Sequence, residues 1–338
     1  MFCIVAGIAF ASCSDWTETE SLTITKPDIA DQNPELYAQY LENLRNYRDS
    51  HHKIVYAWFD NSIKNTFSRG QHIENLPDSI DVVAFMYPDS LEGWELDEME
   101  SVRQKKGMKI IFTLSYDAIK LNYDNMVAAL QNSGSGTAET QSFISYLADT
   151  LQHSLKLVDK YNYDGISIGY NGKSVLHMTE KEKVEYTSNE TAYIGIISTW
   201  MAIHKDKTVV FEGMPQNLVN KTILNSCEHI VIPTTDATNG SILAYNIALA
   251  AVDGVPADRF IITAETASLN TSDTETGYWV DGSRAITSSA AWVSATYSDF
   301  TIAGLGIKNV NNDYYNVVSN YEYTKKAIDI LNPSLKSN

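Results

Sequence analysis

Hydrophobic positions along the chain follow two alternating rhythms. Short runs rich in β-branched and aromatic residues recur at Lys53–Asn61, Ile80–Tyr87, Met108–Tyr116, Tyr163–Asn171, Lys207–Met214, His229–Asp236, Arg259–Thr266 and Ile302–Val310, and each reads as a strand. Between them lie stretches with helical spacing. The clearest is Thr137–Asn162, where Phe143, Ile144, Leu147, Leu151, Leu155 and Val158 form a one-sided stripe. Helices are also expected at Ser90–Lys106, Thr179–His204, Asn217–Cys227, Ser241–Val252, Ser283–Tyr297 and Asp313–Leu331, with Pro34–Tyr47 as an extra helix before the first strand. This alternation predicts an α/β fold, a single-domain (β/α)8 TIM barrel, with a doubly wound open sheet as the competing arrangement. No Gly-x-Gly-x-x-Gly or phosphate-loop lysine follows the first strand, which weakens the nucleotide-binding form of that competitor.

The N-terminus breaks the rhythm. Phe2–Ala11 is an apolar run too short to span a bilayer, and it ends at Ala11-Ser12-Cys13. It resembles a bacterial lipoprotein signal over residues 1–13, in which Cys13 becomes the lipidated first residue. The acidic stretch Ser14–Glu20 resembles the surface-export signal of Bacteroidetes lipoproteins and reads equally well as a solvated tether. Residues 14–33, polar and containing Pro27, form an expected linker, and residues 34–338 the barrel. These readings imply a cell-surface, outer-membrane lipoprotein whose membrane contact is the lipid anchor alone. With Cys3 removed and Cys13 lipidated, Cys227 stands alone, so neither an intramolecular disulfide nor a Cys-based zinc site is expected.

Composition narrows the partners. With 338 residues, 44% of them hydrophobic, the core can be large. A net charge of −17 argues against nucleic acid or an anionic membrane surface and is compatible with a neutral ligand such as a glycan. Twenty Tyr and six Trp offer amphipathic rings suited to sugar faces, although such rings also serve core packing.

The most informative stretch is Asp164-Gly165-Ile166-Ser167-Ile168-Gly169-Tyr170-Asn171. In a strand, residues 167, 169 and 171 share one face, directed into a barrel and toward its mouth, while Ile166, Ile168 and Tyr170 pack under the helices. The frame resembles the catalytic strand of the chitinase and endo-β-N-acetylglucosaminidase family of glycoside hydrolases, family 18, which carries Asp-Gly-x-Asp-x-Asp-x-Glu. Here Ser167, Gly169 and Asn171 stand at the second Asp, the third Asp and the terminal Glu. An amide at 171 cannot act as a general acid. Asp81–Tyr87 and Gly107–Phe112 resemble the family's second and third strands. Thr113-Leu114-Ser115-Tyr116 departs from the usual Ser-x-Gly-Gly, only Asp236 is kept after the sixth strand, and the eighth strand lacks the usual Trp.

The resemblance implies substrate-assisted chemistry that needs a carboxylic acid and a neighbouring carboxylate, neither supplied by this strand. Glu212, near the end of the fifth strand, and Glu265, near the end of the seventh, are the candidates for relocated acids. For binding, Trp58, Tyr87, Tyr116 and Trp279 are candidate stacking rings, and Asn171, Asp60, Glu212, Asp236 and Glu265 candidate partners of sugar hydroxyls. His51, His52 and His229 fall at the wrong end of a barrel for a site, and His177 lacks a ligand set, so no metal or other cofactor is expected. The leading expectation is a catalytically inactive surface lipoprotein that binds N-acetylglucosamine-containing, N-glycan-like chains for neighbouring glycosidases and an outer-membrane transporter. The alternatives are an active endo-glycosidase using Glu212 and Glu265, and a scaffold for protein partners.

Overall fold

The structure, a computed structural model, describes residues 29–132 and 141–333. The expected signal, Cys13 and the linker up to residue 28 lie outside them. The chain divides into two compact units, Met1–Tyr40 and Leu41–Asn338. In the first, α1 is a single turn at Ile29–Gln32, and α2 (Pro34–Asp49) begins there.

The second unit is a closed barrel of parallel strands in chain order: β1 (Ile54–Phe59), β2 (Val82–Phe85), β3 (Lys109–Ser115), β4 (Gly165–Tyr170), β5 (Thr208–Gly213), β6 (Ile230–Ile232), β7 (Phe260–Glu265) and β8 (Ile302–Lys308). Pairing of β1 with β8 completes the ring, which excludes the open sheet. The (β/α)8 expectation therefore holds, with 3-10 turns in place of a helix in two of the connections. Between β1 and β2 the chain makes only 3-10 turns, at Arg69–Gln71 and Ile73–Asn75.

Around the barrel run α3 (Gly93–Lys106), α4 (Tyr116–Asn132), α5 (Phe143–Lys160), α6 (Glu180–Ile203), α7 (Gly240–Ala250), α8 (Ala285–Val293) and α9 (Glu322–Leu331). The stripe on α5 buries Leu147, Leu151, Leu155 and Val158, and the Ser142 hydroxyl caps the helix by accepting from the Ser145 amide. Thr179 and Glu182 form a capping box at the start of α6.

Three expected elements differ. Tyr116 opens α4 instead of closing β3, so strand passes to helix without a loop. The helix expected at Asn217–Cys227 is replaced by 3-10 turns at Pro215–Asn217 and Thr222–Ser226. Here the Glu190 carboxylate accepts from the amides of Val219 and Asn220, and the Asn220 side chain accepts from the Thr222 amide and hydroxyl, an arrangement that competes with helix. Finally, Asp313–Leu331 is helical only from Glu322 onward, after a 3-10 segment at Val310–Tyr315.

Alternation along the strands separates two cores. Inside the barrel, Tyr56, Trp58, Val82, Ala84, Ile111, Val210, Val231 and Ile261 form one buried cluster. Ile166, Ile168 and Tyr170 belong to the larger cluster between strands and helices. The bottom of the barrel is held by two carboxylates used alike. Asp81 accepts from the Val55 amide at 2.8 Å and pairs with Arg48 and His52; Asp164 accepts from the Ile110 amide at 2.7 Å and pairs with Arg103. The surviving Asp of the motif strand is thus a structural tie across β3 and β4. A second tie closes the ring: the Asn332 amide accepts from the Lys53 N–H and donates to the Lys53 carbonyl, both at 2.8 Å.

Candidate functional site

Active sites of this architecture lie at the C-terminal ends of the strands. There, strand register places Ser115, Gly169 and Glu212 side by side across β3, β4 and β5, and Glu265 beside Lys308 across β7 and β8. Glu212 is the hub. One carboxylate oxygen lies 2.5 Å from the Lys308 ammonium, and the other accepts from the Thr113 hydroxyl at 2.9 Å and the Ser167 hydroxyl at 3.4 Å. Lys308 also sits 3.5 Å from the centre of the Trp58 ring, a cation–π geometry. Burial pushes the Lys308 ammonium below its usual pKa, partly opposed by Glu212 and Glu265. Glu265 in turn accepts from the Asn309 side-chain amide.

Two glycines shape this interior. A Cβ at Gly169 would stand 2.8 Å from Thr113 Cγ2 and 3.1 Å from the Leu114 carbonyl oxygen. A Cβ at Gly306 would stand 2.6 Å from the Trp58 ring. The space an acid would need on β4 is therefore filled from β3, and the Trp58 ring occupies the space over β8.

The remaining candidates scatter in role. Asn171, one residue past β4, is exposed; its backbone N–H donates to the Asp117 carboxylate and its backbone carbonyl accepts from the Asn217 side chain. Trp58 is 6% exposed with Lys308 on its ring, so it is an inner wall and not an open platform. Tyr116 is buried among Tyr170, Tyr193 and Phe143, and desolvation raises its hydroxyl pKa; it belongs to the core on the helix side, because α4 starts there. Asp60 accepts from the Ser62 amide, an Asx turn after β1. Tyr87 is 46% exposed after β2. Asp236 is exposed in the turn after β6. Trp279 is half-buried against the main core, in the loop between β7 and α8.

Other residues complete the picture. Besides Lys308 and Thr113, Asn61 is buried and grips Tyr87, accepting from its amide and donating to its carbonyl, each at 2.9 Å, while also donating to Glu95. This fixes the backbone that carries the exposed Tyr87 ring. A lone lysine at the C-terminal end of β8 was the available signal for Lys308; nothing local marks Asn61.

Comparison with protein families finds a profile, glycoside hydrolase family 18, BT1044-like, that matches residues 17–330. This chain belongs to that family. Among solved structures of the fold, a selenomethionine form of BT1044 with a glutamate-to-glutamine substitution is 18% identical, with a TM-score of 0.63 over 91% of this chain and 96% of that one. The endo-β-N-acetylglucosaminidase of Cordyceps militaris is 14% identical, with a TM-score of 0.54 over 87% of this chain and 96% of that one. A comparison with curated protein sequences gives no match. Set in a family 18 barrel, the motif strand keeps Asp164 and Gly165 at its base and carries Ser167, Gly169 and Asn171 toward the mouth.

Proposed function

We propose that this chain is a catalytically silent family 18 barrel, tethered to the outer membrane through a lipid on Cys13, that captures N-acetylglucosamine-containing, N-glycan-like chains. It hands them to neighbouring glycosidases and an outer-membrane transporter. The observation that carries this reading is the engagement of Glu212. Both of its oxygens are already held by Lys308, Thr113 and Ser167, so neither is presented to a glycosidic oxygen. Asn171 supplies an amide where the family's motif has its proton donor, and Glu265 is bonded to Asn309.

Binding needs less than catalysis. The exposed Tyr87 ring after β2, with Asn171 after β4 and Asp236 after β6, offers a stacking face and directional polar groups. The substrate class draws support from family membership and from the likeness to an endo-β-N-acetylglucosaminidase.

Glycan-array retention with parallel hydrolysis assays tests the proposal. Retention without release of sugar is expected. Turnover that disappears in Glu212→Gln or Glu265→Gln would defeat it and establish the relocated-acid enzyme instead. Loss of membrane association on Cys13→Ala tests the tether; a variant that stays on the membrane would remove it from the proposal.

A further inference from the structure

The loops after β7 and β8 enclose a cavity of about 390 Å³ that reaches from Glu265 at the barrel mouth to Arg284 at the start of α8. Arg284 has an unusual setting for this acidic chain. Its guanidinium carbon lies 4.3 Å from the centre of the Tyr278 ring and 4.5 Å from that of Tyr323. Stacking of this kind engages the faces of the guanidinium and leaves its N–H edge free. Among the described residues, no acceptor is hydrogen-bonded to that edge.

The carboxylates of the cavity do not compete for it. Asp313 is buried and accepts from the Thr324 amide and hydroxyl, both at 2.7 Å, and Glu265 accepts from Asn309. The support of Arg284 is preformed as well. Tyr278 and Arg284 face each other in an antiparallel bridge, the Ala285 amide donates to the Gly277 carbonyl, and the Trp279 amide donates to the Ser283 carbonyl. Gly277, at φ +80°, lets this hairpin lie against the Ala267 backbone, where a Cβ would come within 2.5 Å. The half-exposed Tyr315 borders the same cavity.

We infer that Arg284, clamped between Tyr278 and Tyr323, is a subsite for an oxyanion carried by a sugar, a carboxylate or a sulfate, on the glycan held at the barrel mouth. A guanidinium edge offers two parallel N–H donors, the geometry that two oxygens of such a group accept. The aromatic clamp holds the fork in place, so little side-chain freedom is lost on binding. This inference rests on the glycan-binding reading above and specifies its ligand.

Isothermal titration of the full-length chain with one N-acetylglucosamine-containing oligosaccharide in three matched forms tests it: neutral, ending in a sialic acid, and sulfated. At least one anionic form is expected to bind about tenfold more tightly than the neutral one, and which form does so identifies the oxyanion. Arg284→Gln is expected to bring that ratio to about one. Arg284→Lys is expected to lose most of it, since an ammonium keeps the charge but not the stacked fork. If Arg284→Gln does not fold, Tyr323→Leu, which removes one face of the clamp, gives the same reading. Equal affinity for all three forms, or a preference that survives these substitutions, overturns the inference and leaves the glycan-binding reading intact. Binding of none of the three sinks both.

Discussion

The indole of Trp58 lies over Gly306, where a Cβ would come within 2.6 Å of Cζ3. β1 thereby fills the space above β8, and the ring becomes the surface on which Lys308 rests before it pairs with Glu212. Wall, cation and carboxylate form one interdependent unit inside the mouth.

Gly306→Ala should displace this ring. Forcing one extra methyl into a packed interior costs about 1–3 kcal/mol, and urea denaturation of the full chain measures it. Unchanged stability would mean that Trp58 is free to move, contrary to its packing.

Reinstating the family's acids should not create an enzyme. Gly169→Asp drives a Cβ against Thr113 and the backbone of β3, so a loss of stability of about 1–3 kcal/mol is expected, with no hydrolysis even when Ser167→Asp and Asn171→Glu are added. A hydrolysis assay on the triple variant decides the matter, and vigorous turnover would show that β3 yields readily.

Asp164 ties β3 to the start of β4 at the base of the barrel. Removing its carboxylate with Asp164→Ala leaves the Ile110 amide without its acceptor and takes one partner from Arg103, which keeps Glu100 and the Asn162 carbonyl, a cost of about 1–3 kcal/mol. Glycan affinity measured below the unfolding transition should stay as in the wild type. A selective loss of affinity with stability unchanged would reverse this assignment.

The base of the barrel should respond to pH through His52. Its hydrogen bond to Asp81 raises the imidazole pKa from the ordinary 6.5, outweighing burial, which acts in the opposite direction. The folded state then holds the proton more tightly than the unfolded chain, so the stabilisation is fully present below about pH 6.5 and is lost as pH rises through the folded value. The stability advantage of the wild type over His52→Gln should therefore be largest in mild acid and shrink toward alkaline pH. Urea titrations across that range check it; an advantage that grows with pH would contradict the pairing.

How far these features could be read in advance depended on their range along the chain. The strands were legible because their apolar runs are short and β-branched, and period-two alternation correctly turned Ser167 inward and Ile168 outward. α4 was hidden because Ser115 passes into Tyr116 with no Gly or Pro to mark the change, and aromatic residues favour strands locally. The false helix at Asn217–Cys227 looked apolar enough, but Glu190, on another element, captures its amides. The Glu212–Lys308 pair joins residues 96 positions apart, and the Arg284 clamp joins the hairpin before α8 to the first turn of α9. Such juxtapositions arise only once the ring closes.

The mutual grip of Asn332 and Lys53 has a topological corollary. The first and last pieces of the ring are neighbours, so a short linker could join them and fresh ends could be opened in a surface loop elsewhere. Such a circular permutant would preserve each strand's partners, and it would let a reporter domain be fused beside the mouth without altering the side chains that line it.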